Sequence, residues 1–194
     1  GSGSRSTNPG QFVGRAMSVS ILSVESDLSN RPLATVFVGL GSNIDPVSNL
    51  RLGIGELRDR FGELQTSTVY RSKAVGFDGE DFLNLVAIFE SDASPLEICD
   101  IIELIHNLSG RDRNGGKWES RPLDIDLLLY NDLVIDERPV MVPRKDVLEY
   151  SFVLRPMAEL APDQVHPVTG HTMLEHWQNF DATSHPLEAV DVIL

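Results

Sequence analysis

Residues 121–130 read Arg121-Pro122-Leu123-Asp124-Ile125-Asp126-Leu127-Leu128-Leu129-Tyr130. The apolar run from Leu123 to Tyr130 predicts a β-strand. Positions two apart on a strand share a face, so Asp124 and Asp126 stand side by side, about 6.5–7 Å apart at Cα. Leu123, Ile125, Leu127 and Leu129 then take the other face and anchor the strand in the core. Two acids on an otherwise apolar strand repel each other and are costly to bury unless a cation joins them. Hard oxygen donors at this spacing suit Mg²⁺, which takes one or two carboxylates together with phosphate oxygens and water. The plainer alternative is an exposed strand face with solvated acids.

The residues just before the strand sharpen that choice. Arg111, Arg113, Lys117 and Arg121 place four of the chain's 16 basic residues within eleven positions. Asn114-Gly115-Gly116 between them favours neither helix nor strand, so the segment reads as a flexible basic loop that feeds the acidic strand. A polyphosphate beside a divalent cation requires such a loop, and Arg adds bidentate geometry. The competing reading is a solvated loop paired with Asp112 and Glu119.

Farther out, the hydrophobic period alternates between two and 3.6. Ala34 to Leu40 reads as a buried strand, followed by a Gly41-Ser42-Asn43 turn small enough to let backbone approach a ligand. Leu50, Ile54, Leu57 and Phe61 mark one face of a helix. Gln65 to Arg71 and Phe82 to Glu90 read as strands. Ser94 is a helix N-cap, with Pro95 at the first helical position and Glu97 three residues after the cap. Ile98, Ile101, Ile102, Ile105 and Leu108 form that helix's buried stripe, and Gly110 ends it. After the strand at Leu123–Tyr130, Leu133 to Ile135 is expected to be a short partner. Phe152, Leu154, Met157, Ala158 and Leu160 predict a third helix, interrupted by Pro156. This order is that of an α+β protein, an α/β sandwich with a ferredoxin-like βαββαβ core: a mostly antiparallel sheet whose helices share one face.

Composition narrows the class. The chain has 194 residues, 41% hydrophobic and 7% aromatic, which fits a globular domain. No apolar run approaches the roughly 20 residues of a membrane helix. One cysteine, Cys99, rules out an intrachain disulfide framework and reads as a small buried hydrophobe. Lys+Arg 16 against Asp+Glu 29 gives a net charge of −13, which argues against broad nucleic-acid binding. The expected organisation is a tag or linker over 1–16, a flexible stretch over 17–32, one domain over 33–180 and a tail over 181–194. With no basic-then-apolar leader in view, a cytoplasmic protein is expected, a monomer or weak homodimer with no membrane partner. The five histidines show no metal-ligand spacing, and His171 and His176 read as surface.

Taken together, several strings resemble the 6-hydroxymethyl-7,8-dihydropterin pyrophosphokinase family of folate biosynthesis. They are VGLGSN (Val38 to Asn43), VYR (Val69 to Arg71), FLN (Phe82 to Asn84) and GRDR (Gly110 to Arg113). Beyond them come W-x-x-R-P-L-D-I-D (Trp118 to Asp126), Val142-Pro143 and FVLRPMAELAP (Phe152 to Pro162). The resemblance implies transfer of an intact diphosphate from ATP to a reduced pterin, with release of AMP. By position it implies that Asp124 and Asp126 hold two Mg²⁺ ions. Arg111, Arg113, Lys117, Arg121, Arg144 and Lys145 would contact the nucleotide, Arg111 and Arg121 as catalytic residues beside the acids. Phe82 and Phe152 would sandwich the pterin, Asn84 would bond its edge, and Ser72, Val75 and Trp118 would complete its site. The chain departs from the family pattern at Arg144, where a His is usual, at Tyr150, where an Arg is usual, and at His106, where a Glu is usual. The other readings of the fold are a diverged pterin or nucleotide binder and a ferredoxin-like regulatory module.

Overall fold

The computed structural model describes residues 31–76, 78–110 and 122–194, and all the described elements fall within the unit Pro32–Leu194. Its first strand is β1 (Ala34–Ser42), an inner strand of the sheet and apolar on both faces along most of its length. Next along the chain are α1 (Pro46–Phe61), β2 (Gln65–Thr66), β3 (Val69–Ser72), β4 (Phe82–Ser91) and α2 (Pro95–Leu108). The acidic strand is β5 (Asp124–Tyr130); a separate hairpin of β6 (Ile135–Glu137) and β7 (Val140–Val142) follows it. The chain then forms α3 (Asp146–Glu149), α4 (Ser151–Leu160), α5 (Met173–Gln178) and β8 (Glu188–Val190). The main sheet runs β5-β1-β4-β3-β8, with β2 also on β4, and every pairing in it is antiparallel.

Local signals account for the helix ends. In α2 the Ser94 hydroxyl accepts from the Glu97 N–H while the Glu97 carboxylate accepts from the Ser94 N–H, the reciprocal cap its sequence predicts. In α1, Leu50, Ile54 and Leu57 are buried, and Phe61 stacks on Phe89 at 4.3 Å between ring centroids. Gly53 lets α1 sit low on the sheet: a Cβ there would lie 3.0 Å from Leu40 Cδ2 and 3.2 Å from Leu123 Cδ2.

Two cores flank the sheet. Val36, Val38, Leu40, Leu85, Ile125 and Leu127 meet α1 and α2 on one face. Phe37, Val86, Ile88 and Leu128 meet Val147, Leu154, Met157 and Met173 of α3, α4 and α5 on the other. The first two helices therefore share a face as expected, but the third lies across the sheet from them. Pro156 sits inside α4 without ending it.

Four other expectations are revised. Leu129 does not continue the face of Leu123, Ile125 and Leu127. The register between β1 and β5 shifts after Phe37, which pairs with Leu129 while Val38 pairs with Leu127, so Leu128 and Leu129 join the opposite core. Leu133–Ile135 does not pair with β5; Ile135 pairs with Val142 instead. Gln65–Arg71 is two strands, because the Ser67 hydroxyl takes the Val86 N–H and Thr68 donates its N–H to Glu159 on α4. The stretch beyond residue 180 carries β8, which extends the sheet alongside β3. The segments expected as a tag (1–16) and flexible stretch (17–32) lie outside the described residues as far as residue 30. Among the described residues, no helix is long and apolar enough to cross a membrane.

Candidate active site

Strand register builds the site. Asp124 pairs with Gly41, Gly41 with Asn84, and Asn84 with Tyr70, so these four lie in one line across β5, β1, β4 and β3. Asp126, Gly39 and Val86 form the next line on the same face. The acids therefore stand at one side of a floor made of two glycines, with Asn84 opposite. The absence of side chains at Gly39 and Gly41 opens the space: a Cβ on Gly41 would lie 2.9 Å from Asn84 Oδ1. The result is a cavity of about 500 Å³.

Asp124 and Asp126 are half-buried, with 24% and 32% of their side chains exposed. Leu123, Ile125 and Leu127 pin their strand from behind. The Ser42 hydroxyl donates to the Pro122 carbonyl and ties the end of β1 to the entry of β5. β5 is an edge strand, and the Ile125 N–H, between the two acids, donates outward to His106 Nε2 at 2.8 Å. Because Nε2 accepts there, Nδ1 carries the proton and donates to Glu103 at 3.1 Å. The buried imidazole thus closes the sheet edge that holds the carboxylates.

A guanidinium faces the acids from the other side. Arg144 lies 3.3 Å from Asp126 Oδ1 through one terminal nitrogen and 2.8 Å from Asp146 Oδ2 through Nε. Its backbone N–H donates to the Leu128 carbonyl at 2.9 Å, which fixes where the side chain starts. Burial alone would lower the Arg144 pKa, but Asp126 and then Asp146 outweigh it and raise it, so the charge is permanent. Asn84 donates to the Ser72 hydroxyl at 2.9 Å, which aims the amide along the cavity wall. Lys73 pairs with Asp81 at 2.9 Å at the rim.

The cavity gathers Ser72, Val75, Phe82, Asn84, Asp124, Asp126, Arg144 and Phe152, all candidates from the sequence. Lys145 is exposed and lines an adjacent cavity, to which Arg144 and Asp146 also contribute. Arg111, Arg113, Lys117, Trp118 and Arg121 lie outside the described residues. The sequence reading missed Asp146 and Gly39 as wall and floor. Gly39 was detectable, because two glycines spaced by two on a buried strand leave one face bare; Asp146 carried no local signal.

Among the described residues no three His, Cys, Asp or Glu side chains cluster as a complete metal cage. Two half-buried carboxylates opening on one cavity, with a guanidinium already drawn to one of them, match the donor set of Mg²⁺ that shares its shell with phosphate and water. On an antiparallel sheet with helices on both faces, such a donor set is compatible with the class of enzymes that move phosphoryl groups onto small acceptors.

Comparison with known proteins supplies the member of that class. Residues 37–162 match the family described as 7,8-dihydro-6-hydroxymethylpterin-pyrophosphokinase (HPPK). The chain is 36% identical over 138 residues to the 2-amino-4-hydroxy-6-hydroxymethyldihydropteridine pyrophosphokinase of Aquifex aeolicus, covering 70% of this chain and 86% of that one. The Synechocystis protein of the same name is 37% identical over 150 residues, 76% of each chain. The HPPK-DHPS of Plasmodium falciparum, solved with pterin and p-hydroxybenzoate, superimposes with a TM-score of 0.66 at 14% identity. That likeness, over 79% of this chain and 44% of the longer one, shows the fold alone. The chain belongs to the HPPK family, pyrophosphokinases of folate biosynthesis.

Proposed function

We propose that Asp124 and Asp126, with the residues around their cavity, carry the family reaction in this chain. In it, ATP gives its terminal diphosphate to the hydroxymethyl group of 6-hydroxymethyl-7,8-dihydropterin. The acceptor oxygen forms a bond to the β-phosphorus, the bridging oxygen leaves with AMP, and the hydroxyl proton is lost. The observation that supports the assignment is the register that sets Asp124, Gly41 and Asn84 in one line.

In this reading Asp124 and Asp126 hold Mg²⁺, two ions being expected. When bound, the metal neutralises the polyphosphate and polarises the phosphorus under attack. The chain's own residues bind and orient. Phe82 and Phe152 enclose the pterin ring, Asn84 bonds its edge, and Ser72 with Val75 borders it. Arg144 and Lys145 meet the nucleotide, as do Arg111, Arg113, Lys117 and Arg121, while Trp118 covers the pterin. Positioning and charge neutralisation then carry most of the rate. The protein acts in the cytoplasm as a monomer or weak homodimer.

One assay tests the reading. Incubation with ATP, Mg²⁺ and 6-hydroxymethyl-7,8-dihydropterin should give AMP only when the pterin is present. ADP instead would mean an ordinary kinase. Binding of both ligands without product would favour a diverged binder, the reading to which Tyr150 lends weight by standing where the family has an Arg.

A further inference from the structure

We infer that Tyr150 is a positioning residue for the acceptor ring, held in place by His185 and acting through Phe152. This rests on the reading of Phe152 as a wall of the pterin site. Three aromatic side chains form a ladder there. The Tyr150 and Phe152 rings stack with centroids 5.0 Å apart and planes 15° apart. His185 meets the Tyr150 ring edge-on, at 5.8 Å and 68°. Tyr150 and Phe152 both line the cavity that holds Asp124 and Asp126.

The ladder is fixed at each rung. Tyr150 is the extended residue at the junction of α3 and α4, with φ −122° and ψ 129°. Its N–H donates to the Asp146 carbonyl at 3.1 Å, and its carbonyl accepts from the Leu154 N–H at 3.0 Å. The backbone thus sets the direction in which the ring leaves. Next to it, the Ser151 hydroxyl donates to the His185 carbonyl, which brings the C-terminal segment against the start of α4. A phenylalanine in the first turn of a helix at a cavity mouth has rotamer freedom to lose when a flat ligand stacks on it. A second ring lying parallel to it removes part of that freedom beforehand.

The test measures pterin and ATP separately. Binding of 6-hydroxymethylpterin, the stable fluorescent form of the acceptor, is titrated without nucleotide; KM for the dihydropterin and for ATP is then measured. Tyr150→Leu should weaken pterin binding and raise the pterin KM about 3- to 10-fold, the range for loss of an aromatic pair. The ATP KM and the melting temperature should stay put. Tyr150→Phe should restore both pterin constants, because the stack needs the ring and not the hydroxyl. His185→Ala should move them in the same direction by about twofold, and carries the test if Tyr150→Leu does not fold. Unchanged or tighter pterin binding in Tyr150→Leu, or an equal rise in both KM values, overturns the inference alone. A wild type that binds no pterin overturns the reading of the site and this inference with it.

Discussion

Gly41 and Asn84 face each other with no room for a methyl group between them. Gly41→Ala should push the Asn84 amide off Ser72 and raise the pterin KM about 2- to 10-fold, the worth of one hydrogen bond, without touching the ATP KM. Steady-state kinetics with each substrate varied in turn would show it. Asp124→Ala and Asp126→Ala should abolish turnover while leaving the domain folded, although Asp126→Ala also takes from Arg144 one of its two carboxylate partners. A Mg²⁺-dependent rate equal to wild type in either variant would refute their role. His106→Leu should cost about 1–3 kcal/mol in urea unfolding, because the Ile125 N–H then has no acceptor at the sheet edge. The sequence made the acids readable because a period of two is local: Asp124 and Asp126 share a face whatever lies around them. It could not show what His106 does, since its partner is a backbone group nineteen residues away.

At the scale of elements, the clearest tie between layers is Glu159 of α4. Its carboxylate accepts from the Thr68 N–H at 2.9 Å, the Thr68 hydroxyl at 2.8 Å and the Tyr70 hydroxyl at 2.7 Å. Burial would raise its pKa, but the Thr68 and Tyr70 bonds outweigh this and lower it below the ordinary carboxylate value. A group depressed on folding adds stability above its unfolded pKa and loses it as pH falls through the folded one. Glu159→Gln should therefore lower the melting temperature near neutrality and flatten its fall on the acid side, as a series of thermal melts from pH 7 down to pH 3 would record. Helices α1 and α2 were readable from stripes and caps that lie within each segment. The split of β2 from β3 was not: it depends on Ser67 and Thr68 finding Val86 and Glu159, and a hydroxyl that can replace a ladder bond looks the same in sequence when it does not.

Across the whole molecule, the C-terminal stretch binds elements that are far apart in the chain. Glu188 meets Arg71 at 2.9 Å, and the Arg51 guanidinium donates twice to the Ile193 carbonyl, at 3.0 and 2.9 Å. Val190, Val192 and Leu194 pack on the core beneath α1 and α2. Removing residues 186–194 should cost about 3 kcal/mol from three partly buried aliphatic side chains. That corresponds to a drop of about 6–12 °C in Tm, measurable by calorimetry. Sequence periodicity gave no hint of this strand, because three residues are too few to show one. The fold class was readable, since it follows from the order of strongly periodic elements; the second helical layer was not, because nothing in a helix's own sequence states which side of a sheet it will cover.

Arg144 belongs to the wall shared by two neighbouring cavities, where it answers to Asp126 on one side and Asp146 on the other. A single charge shared by two chambers links them thermodynamically when a ligand in either one shifts it. Whatever guest draws it toward one chamber changes the electrostatic welcome in the next, and the second guest must repay the first by the same factor.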